Sequence, residues 1–306
     1  MSKAVIHVGV DDSWRDTGAM EWALQESLLR REPLQAVHVI DERIRTVAGI
    51  PPDLVDDQAT ELVNTVQGYL DEHRNEAQGP GLGEGLDASP DDGQGLLDHE
   101  AELMLGPPAR TLTDAAADSR MLVVGRRGMG TFKRLLIGST SEAVVAQTTV
   151  PVVIVPDRWK PSDHAGPVVV ALDQGDDHAP VMEFAIAAAS ERNVPVRIVY
   201  VFDLPGLYGW EAVNAEGVSA DMREQAERHF ENVAAEWNQK YPDVTIEVDV
   251  RRGHRVDGVL NGAAKADAQL IVVGAHHHAR VTAALLGTVT RGVLHHATCP
   301  LAVVPV

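Results

Sequence analysis

The sequence predicts an α/β protein, written as two tandem copies of a five-stranded, mostly parallel sheet with helices on both faces. Three observations carry this. Short runs rich in Val, Ile and Leu alternate with amphipathic stretches, as in βαβ units whose strands are buried on both faces. The chain has 306 residues, a length that suggests two domains of about 150 each. Its elements also occur twice in the same order, a duplication too long for a solenoid repeat.

The first copy opens with Val5-Ile6-His7-Val8-Gly9-Val10-Asp11, and the second with Val168-Val169-Val170-Ala171-Leu172-Asp173. Each is followed by a polar turn and an amphipathic helix, around Gly18–Leu24 and Ala179–Ala185. Ala36-Val37-His38-Val39-Ile40-Asp41 then pairs with Ile198-Val199-Tyr200-Val201-Phe202-Asp203. Strands are expected at 4–10, 34–40, 97–105, 121–125 and 150–155, and again at 168–172, 196–202, 245–250, 270–274 and 300–304. Long polar helices are expected around 53–76 and 219–240. The stretch 157–166, polar with Pro and Gly, reads as a linker between domains at 1–156 and 167–306. Only the first copy carries the glycine-rich acidic insertion 79–95, which reads as a surface loop.

Composition excludes several classes. A formal charge of −19 argues against a nucleic-acid binder or an anionic-membrane binder, since both need a basic surface. No stretch approaches the ~20 apolar residues of a membrane span. Asp11, Asp12 and Arg15 interrupt any secretory leader. The single cysteine, Cys299, cannot form an intrachain disulfide and fits a reducing cytoplasm.

The chemistry concentrates at Gly125-Arg126-Arg127-Gly128, followed nine residues later by Gly138-Ser139. A buried strand, a glycine-spaced loop and a helix starting at a hydroxyl residue suit an anion. Glycine lets the backbone approach without a Cβ, and amides at the helix start point at negative charge. Arg126, Arg127, Lys133 and Arg134 add local positive charge. In an open parallel sheet, ligands bind beyond the carboxyl ends of strands where the strand order reverses. That rule brings Asp11, after the first strand, to the glycine loop after the fourth. An acid there suits a ribose hydroxyl or a phosphate-bridging metal; the structural alternative is a helix N-cap.

Other motifs fail. There is no GxxxxGK[ST], Lys133 stands where the third glycine of GxGxxG belongs, and one cysteine excludes CxxC. His276, His277, His278, His295 and His296 lack metal-ligand spacing. No nucleophile–base–orienter set is visible, so no catalytic residue is assigned.

Gly125-x2-Gly128-x9-Gly138-Ser139, the opening Val-Gly-Val-Asp at 8–11 and the closing Val-Pro-Val-Val-Ile-Val-Pro together resemble the universal stress proteins, along essentially the whole chain. The resemblance implies an ATP-binding regulatory protein of the stress response, with Mg accompanying the ATP, that is at most a weak ATPase. It implies a first-half site of Gly9, Asp11, Val39, Gly125, Arg126, Arg127, Gly128, Met129, Gly130, Gly138, Ser139 and Thr140. Asp11 would meet ribose or phosphate, Val39 the adenine through its backbone, and the loop the phosphates. The second-half counterpart comprises Ala171, Asp173, Val201, Gly274, His277, Gly287, Thr288 and Val289. There His277 replaces the second glycine, and if that position needs positive φ, a histidine is penalised. The first half is therefore expected to bind more readily than the second. An intramolecular pseudodimer is implied, with 150–155 beside 300–304, alongside a homodimer or a protein partner of unspecified kind. Two alternatives stand beside ATP binding: a nucleotide-free interaction module and a slow ATP hydrolase.

Overall fold

Ten apolar runs become ten strands: β1 (Ile6–Val10), β2 (Leu34–Ile40), β3 (Glu100–Leu105), β4 (Met121–Gly125) and β5 (Val152–Val155), then β6 (Val168–Ala171), β7 (Val196–Phe202), β8 (Ile246–Arg252), β9 (Leu270–Ala275) and β10 (Leu301–Pro305). The helices are α1 (Trp14–Thr17), α2 (Ala19–Arg30), α3 (Glu42–Arg45), α4 (Pro52–His73), α5 (Pro108–Ala115), α6 (Ser139–Gln147), α7 (Ala179–Arg192), α8 (Ala215–Lys240), α9 (Arg255–Lys265) and α10 (Thr288–His296). The computed structural model describes residues 4–45, 51–73, 97–128, 136–161, 166–175, 178–203, 215–275 and 286–306. The insertion 79–95, the loop residues Met129, Gly130, Lys133 and Arg134, and His276, His277 and His278 lie outside the described residues.

The strands form one sheet in the order β3-β2-β1-β4-β5-β10-β9-β6-β7-β8. Every neighbouring pair is parallel except β5–β10, which is antiparallel. The pseudodimer implied by the closing strands is present. Its register is informative, because Val153 faces Ala302, Ile154 faces Leu301 and Val152 faces Val303. Val153 and Ala302 occupy the same place in the two copies, so each half meets its own counterpart, as in an isologous interface. The pairing also removes two sheet edges that would otherwise be open.

Alternate residues along the strands feed two core layers. One packs against α2, α4, α7 and α8, with Trp22, Met20, Leu70, Met182 and Phe230 fully or almost fully buried. The other packs against α5, α6, α9 and α10 through Leu112, Val144, Val259 and Val293. Burying each such side chain is worth about 1.5–3 kcal/mol, which is why the apolar runs read so plainly as strands. The strand expected from residue 97 begins at Glu100. His99, just before it, turns wholly inward, and its Nδ1 accepts the Leu34 amide at 3.2 Å.

The halves also meet through α2 and α7. Arg30 and Arg192 hold matching positions in the two copies, and both pair with the one carboxylate of Glu26, which is 1% exposed. Arg30 reaches on to Glu191 at 2.8 Å. Burial pushes the Glu191 carboxyl above its usual value, partly opposed by Arg30. In the second copy the residue matching Glu26 is Ala188, so one acid serves two related cations.

Candidate functional site

Strand order reverses between β1 and β4 in the first half and between β6 and β9 in the second, which opens a crevice at their carboxyl ends. Each crevice has the same frame. At the end of β1, the Asp11 carboxylate accepts the Ser13 amide at 2.9 Å and the Ser13 hydroxyl at 2.6 Å. At the end of β6, Asp173 accepts the Gly175 amide at 2.9 Å. Both are Asx turns that aim the carboxylate along the crevice. On the other side, the third residue of each helix donates back to the strand's last glycine. Ser141 Oγ reaches the Gly125 carbonyl at 2.8 Å, and Thr290 Oγ1 reaches the Gly274 carbonyl at 2.9 Å. These bonds fix the starts of α6 and α10 beside the strand ends. Neither helix has a side-chain N-cap bond, so Ser139 and Thr140, and likewise Gly287, Thr288 and Val289, bring amides to the crevice, while the Gly138 amide donates to the Arg126 carbonyl at 2.8 Å.

Within this shared frame the halves differ. The second encloses a cavity of about 380 Å³, within the size range of small-molecule sites. Ala171, Val181, Val199, Val201, Val259 and Val273 form apolar walls; Asp173, Gly274, Gly287, Thr288 and Val289 form the polar side. Thus seven of the second-half residues named from sequence are gathered around one space, with His277 outside the described residues. Tyr200, His178 and Arg255 are also part of the lining. Burial raises the Tyr200 hydroxyl above its usual value, with nearby Arg255 opposing and Asp173 reinforcing the shift.

In the first half, other side chains stand at the matching places among the described residues. The two δ-methyls of Leu112 lie 3.1 and 3.4 Å from where a Cβ on Gly9 would stand; the matching wall in the second half is Val259, one carbon shorter. His38 Nδ1 meets the Val10 carbonyl at 2.9 Å, where the second half has Tyr200. Gly128 closes on Asp11 so tightly that a Cβ would stand 2.0 Å from its Oδ2. Gly128 is not in the left-handed region. The requirement for glycine at this position, expected to come from φ, comes instead from the approach of a carboxylate.

Both loop arginines make contacts outside the crevice. Arg126 Nη1 donates 2.9 Å to the Ala297 carbonyl at the end of α10, crossing into the other half, and burial lowers its affinity for the proton. Arg127 is paired with Asp157. Arg127 is thus ion-paired, whereas the bond of Arg126 is to a neutral carbonyl and its buried Nε has no partner among the described residues.

Sequence reasoning missed Arg255, His178, Tyr200, Val181 and Val259 as cavity residues. One signal for Arg255 was available. Gly106 and Gly253 both take left-handed φ, at 146° and 142°, and the helix that follows each begins with Pro108 or Arg255. Aligning those glycines singles out the arginine.

Two matches to a family model described as the universal stress protein family cover residues 4–156 and 165–305. The chain is 31% identical to a universal stress protein of Mycolicibacterium smegmatis, over 98% of this chain and 96% of that one. It is 29% identical to one of Mycobacterium tuberculosis, over 97% and 95% respectively. A solved universal stress protein from Archaeoglobus fulgidus, 17% identical, shares the fold over 100% of this chain and 99% of that one, with a TM-score of 0.64.

Proposed function

The chain belongs to the universal stress protein family, and from that premise we propose that it is an ATP-binding regulatory protein whose second half is the principal nucleotide site. The observation that carries this reading is the cavity of about 380 Å³ at the β6–β9 crossover. It combines apolar walls, a carboxylate and an uncapped helix start. Ala171, Val199, Val259 and Val273 would bury a base, with the Val201 backbone at its edge. Asp173 would accept hydrogen bonds from ribose hydroxyls. Amides of Gly287, Thr288 and Val289, next to Gly274, would meet phosphate oxygens, where the helix dipole favours negative charge. Mg²⁺ would be carried mainly by the phosphates, as that ion commonly is.

The first half shares the frame, with Leu112 beside Gly9 and Gly128 close against Asp11. We assign it weaker binding through Gly9, Asp11, Val39, Gly125, Gly128, Gly138, Ser139 and Thr140, which reverses the order expected from the intact glycine motif. Calorimetry with ATP on the wild type, Asp173→Ala and Asp11→Ala tests the assignment. Asp173→Ala should weaken the tighter event about tenfold or more, the loss expected for bonds to a charged group, and Asp11→Ala should leave it within twofold. Absence of any heat with the wild type, together with no ATP released on denaturing the purified protein, would overturn nucleotide binding. The reverse ranking of the two variants would return the site to the first half.

A further inference from the structure

Arg255 is the one Lys or Arg among the described residues lining the second-half cavity. Of the other arginines near the two helix starts, Arg127 is paired with Asp157 and Arg291 with Glu142 at 2.9 Å, and Arg126 donates through Nη1 to the Ala297 carbonyl. No hydrogen bond or ion pair among the described residues holds the Arg255 guanidinium. Asp257, the acid in the same turn, faces His254 at 3.5 Å.

The position itself is costly for a cation. Arg255 is the first residue of α9, where the helix dipole is positive and a like charge is unfavourable. The matching residue in the first half is Pro108, the residue type that suits a helix start. A locally unfavourable side chain at the wall of a cavity marks a place where the site rather than the fold sets the residue. The backbone amides at Gly287, Thr288 and Val289 supply only about half a positive charge, far short of a polyphosphate, on a chain whose formal charge is −19.

We propose that Arg255 is the specificity residue of the second-half site, contacting the ligand's phosphate groups and so selecting nucleotides over the free nucleoside. This rests on the second half being the nucleotide site. Arg255→Gln removes the charge and keeps polar donors, and Arg255→Lys keeps the charge without the planar fork. Calorimetry with ATP, AMP and adenosine should show Arg255→Gln weakening ATP about 10- to 100-fold, the range of a charge-assisted bond. Adenosine should stay within twofold, and Arg255→Lys should recover part of the loss. Raising salt should weaken ATP binding to the wild type more than to Arg255→Gln.

Thermal melting separates this from a structural role, because removing a cation from a helix start should leave Tm unchanged or raised. Equal losses for ATP and adenosine would overturn the proposal in favour of contact with the base. Unchanged ATP affinity in Arg255→Gln would overturn it while leaving the nucleotide reading intact. Failure of the wild type to bind ATP or adenosine would remove both.

Discussion

The two halves share their strands, their Asx turns and the hydroxyl that ties helix to strand, yet small substitutions change the side chains that line their crevices. Gly9 and Leu112 stand in the first half where Ala171 and Val259 stand in the second; His38 stands where Tyr200 does. The first half carries the intact glycine spacing and the cationic loop, and the second carries the cavity. A motif specifies where the backbone can approach an anion. Whether there is room for the rest of the ligand depends on side chains contributed by other elements.

That comparison can be broken most forcefully where the halves join. Glu26→Ala should destabilise the protein by about 3–5 kcal/mol, because two buried arginines lose their shared carboxylate. Urea unfolding measures this. Ala188→Glu, the mirror change, adds a second acid beside the same cations and tests whether the asymmetry is needed; a loss below 1 kcal/mol in Glu26→Ala would mean the cluster is not buried as described.

Next in size is the Asp11–Gly128 contact. Gly128→Ala sets a Cβ against Asp11 and should cost about 1–3 kcal/mol, as overpacking does. Gly138→Ala should cost less, since its Cβ would find 3.5 Å of space. Equal effects, read from denaturation midpoints, would show that the Asp11–Gly128 contact does not govern this loop.

A pH difference should also separate the halves. Burial depresses the His7 pKa below its ordinary 6.5, partly opposed by a hydrogen bond with Gln35, and the matching residue in β6 is Val169. A base with a depressed folded value contributes stability that is present above 6.5 and is lost as pH falls through that lower value. Hydrogen exchange between pH 7.5 and 5 should therefore show β1 loosening before β6, and His7→Val should flatten the difference. Matching acid sensitivity in His7→Val and wild type would assign the effect to another group.

The smallest effect is expected at the Glu142–Arg291 pair, which joins matching positions of α6 and α10 on the surface, 38% and 61% exposed. Glu142→Ala should change stability by about 0–1 kcal/mol and less at high salt. A larger loss in thermal melting would give this contact a part in holding the halves together.

Much of the fold was legible because parallel strands buried on both faces are written as continuous apolar runs. Boundaries moved by a few residues where an individual contact intervened, as at His99, or where pairing ended, as at Val152. The candidate site was legible in part. Asp11, Asp173 and the glycines sit at strand ends and helix starts, so topology alone brings them together. The partners of Arg126 and Arg127, the Ala297 carbonyl and Asp157, were not legible, because they lie in elements that local sequence does not connect with the loop. Val259 and Arg255 left only the faint trace of an aligned glycine.

By itself, the sequence determined the duplication, the parallel sheets and the placement of an acid opposite a glycine-spaced loop. All of these follow from hydrophobic periodicity and chain order. Only the tertiary structure decided that the register centres on Val153 and Ala302, that Gly128 lies against a carboxylate without a left-handed φ, and that the second-half crevice holds a cavity. Those outcomes depend on packing between side chains distant in sequence, where one methylene or one borrowed carbonyl decides whether a crevice is filled.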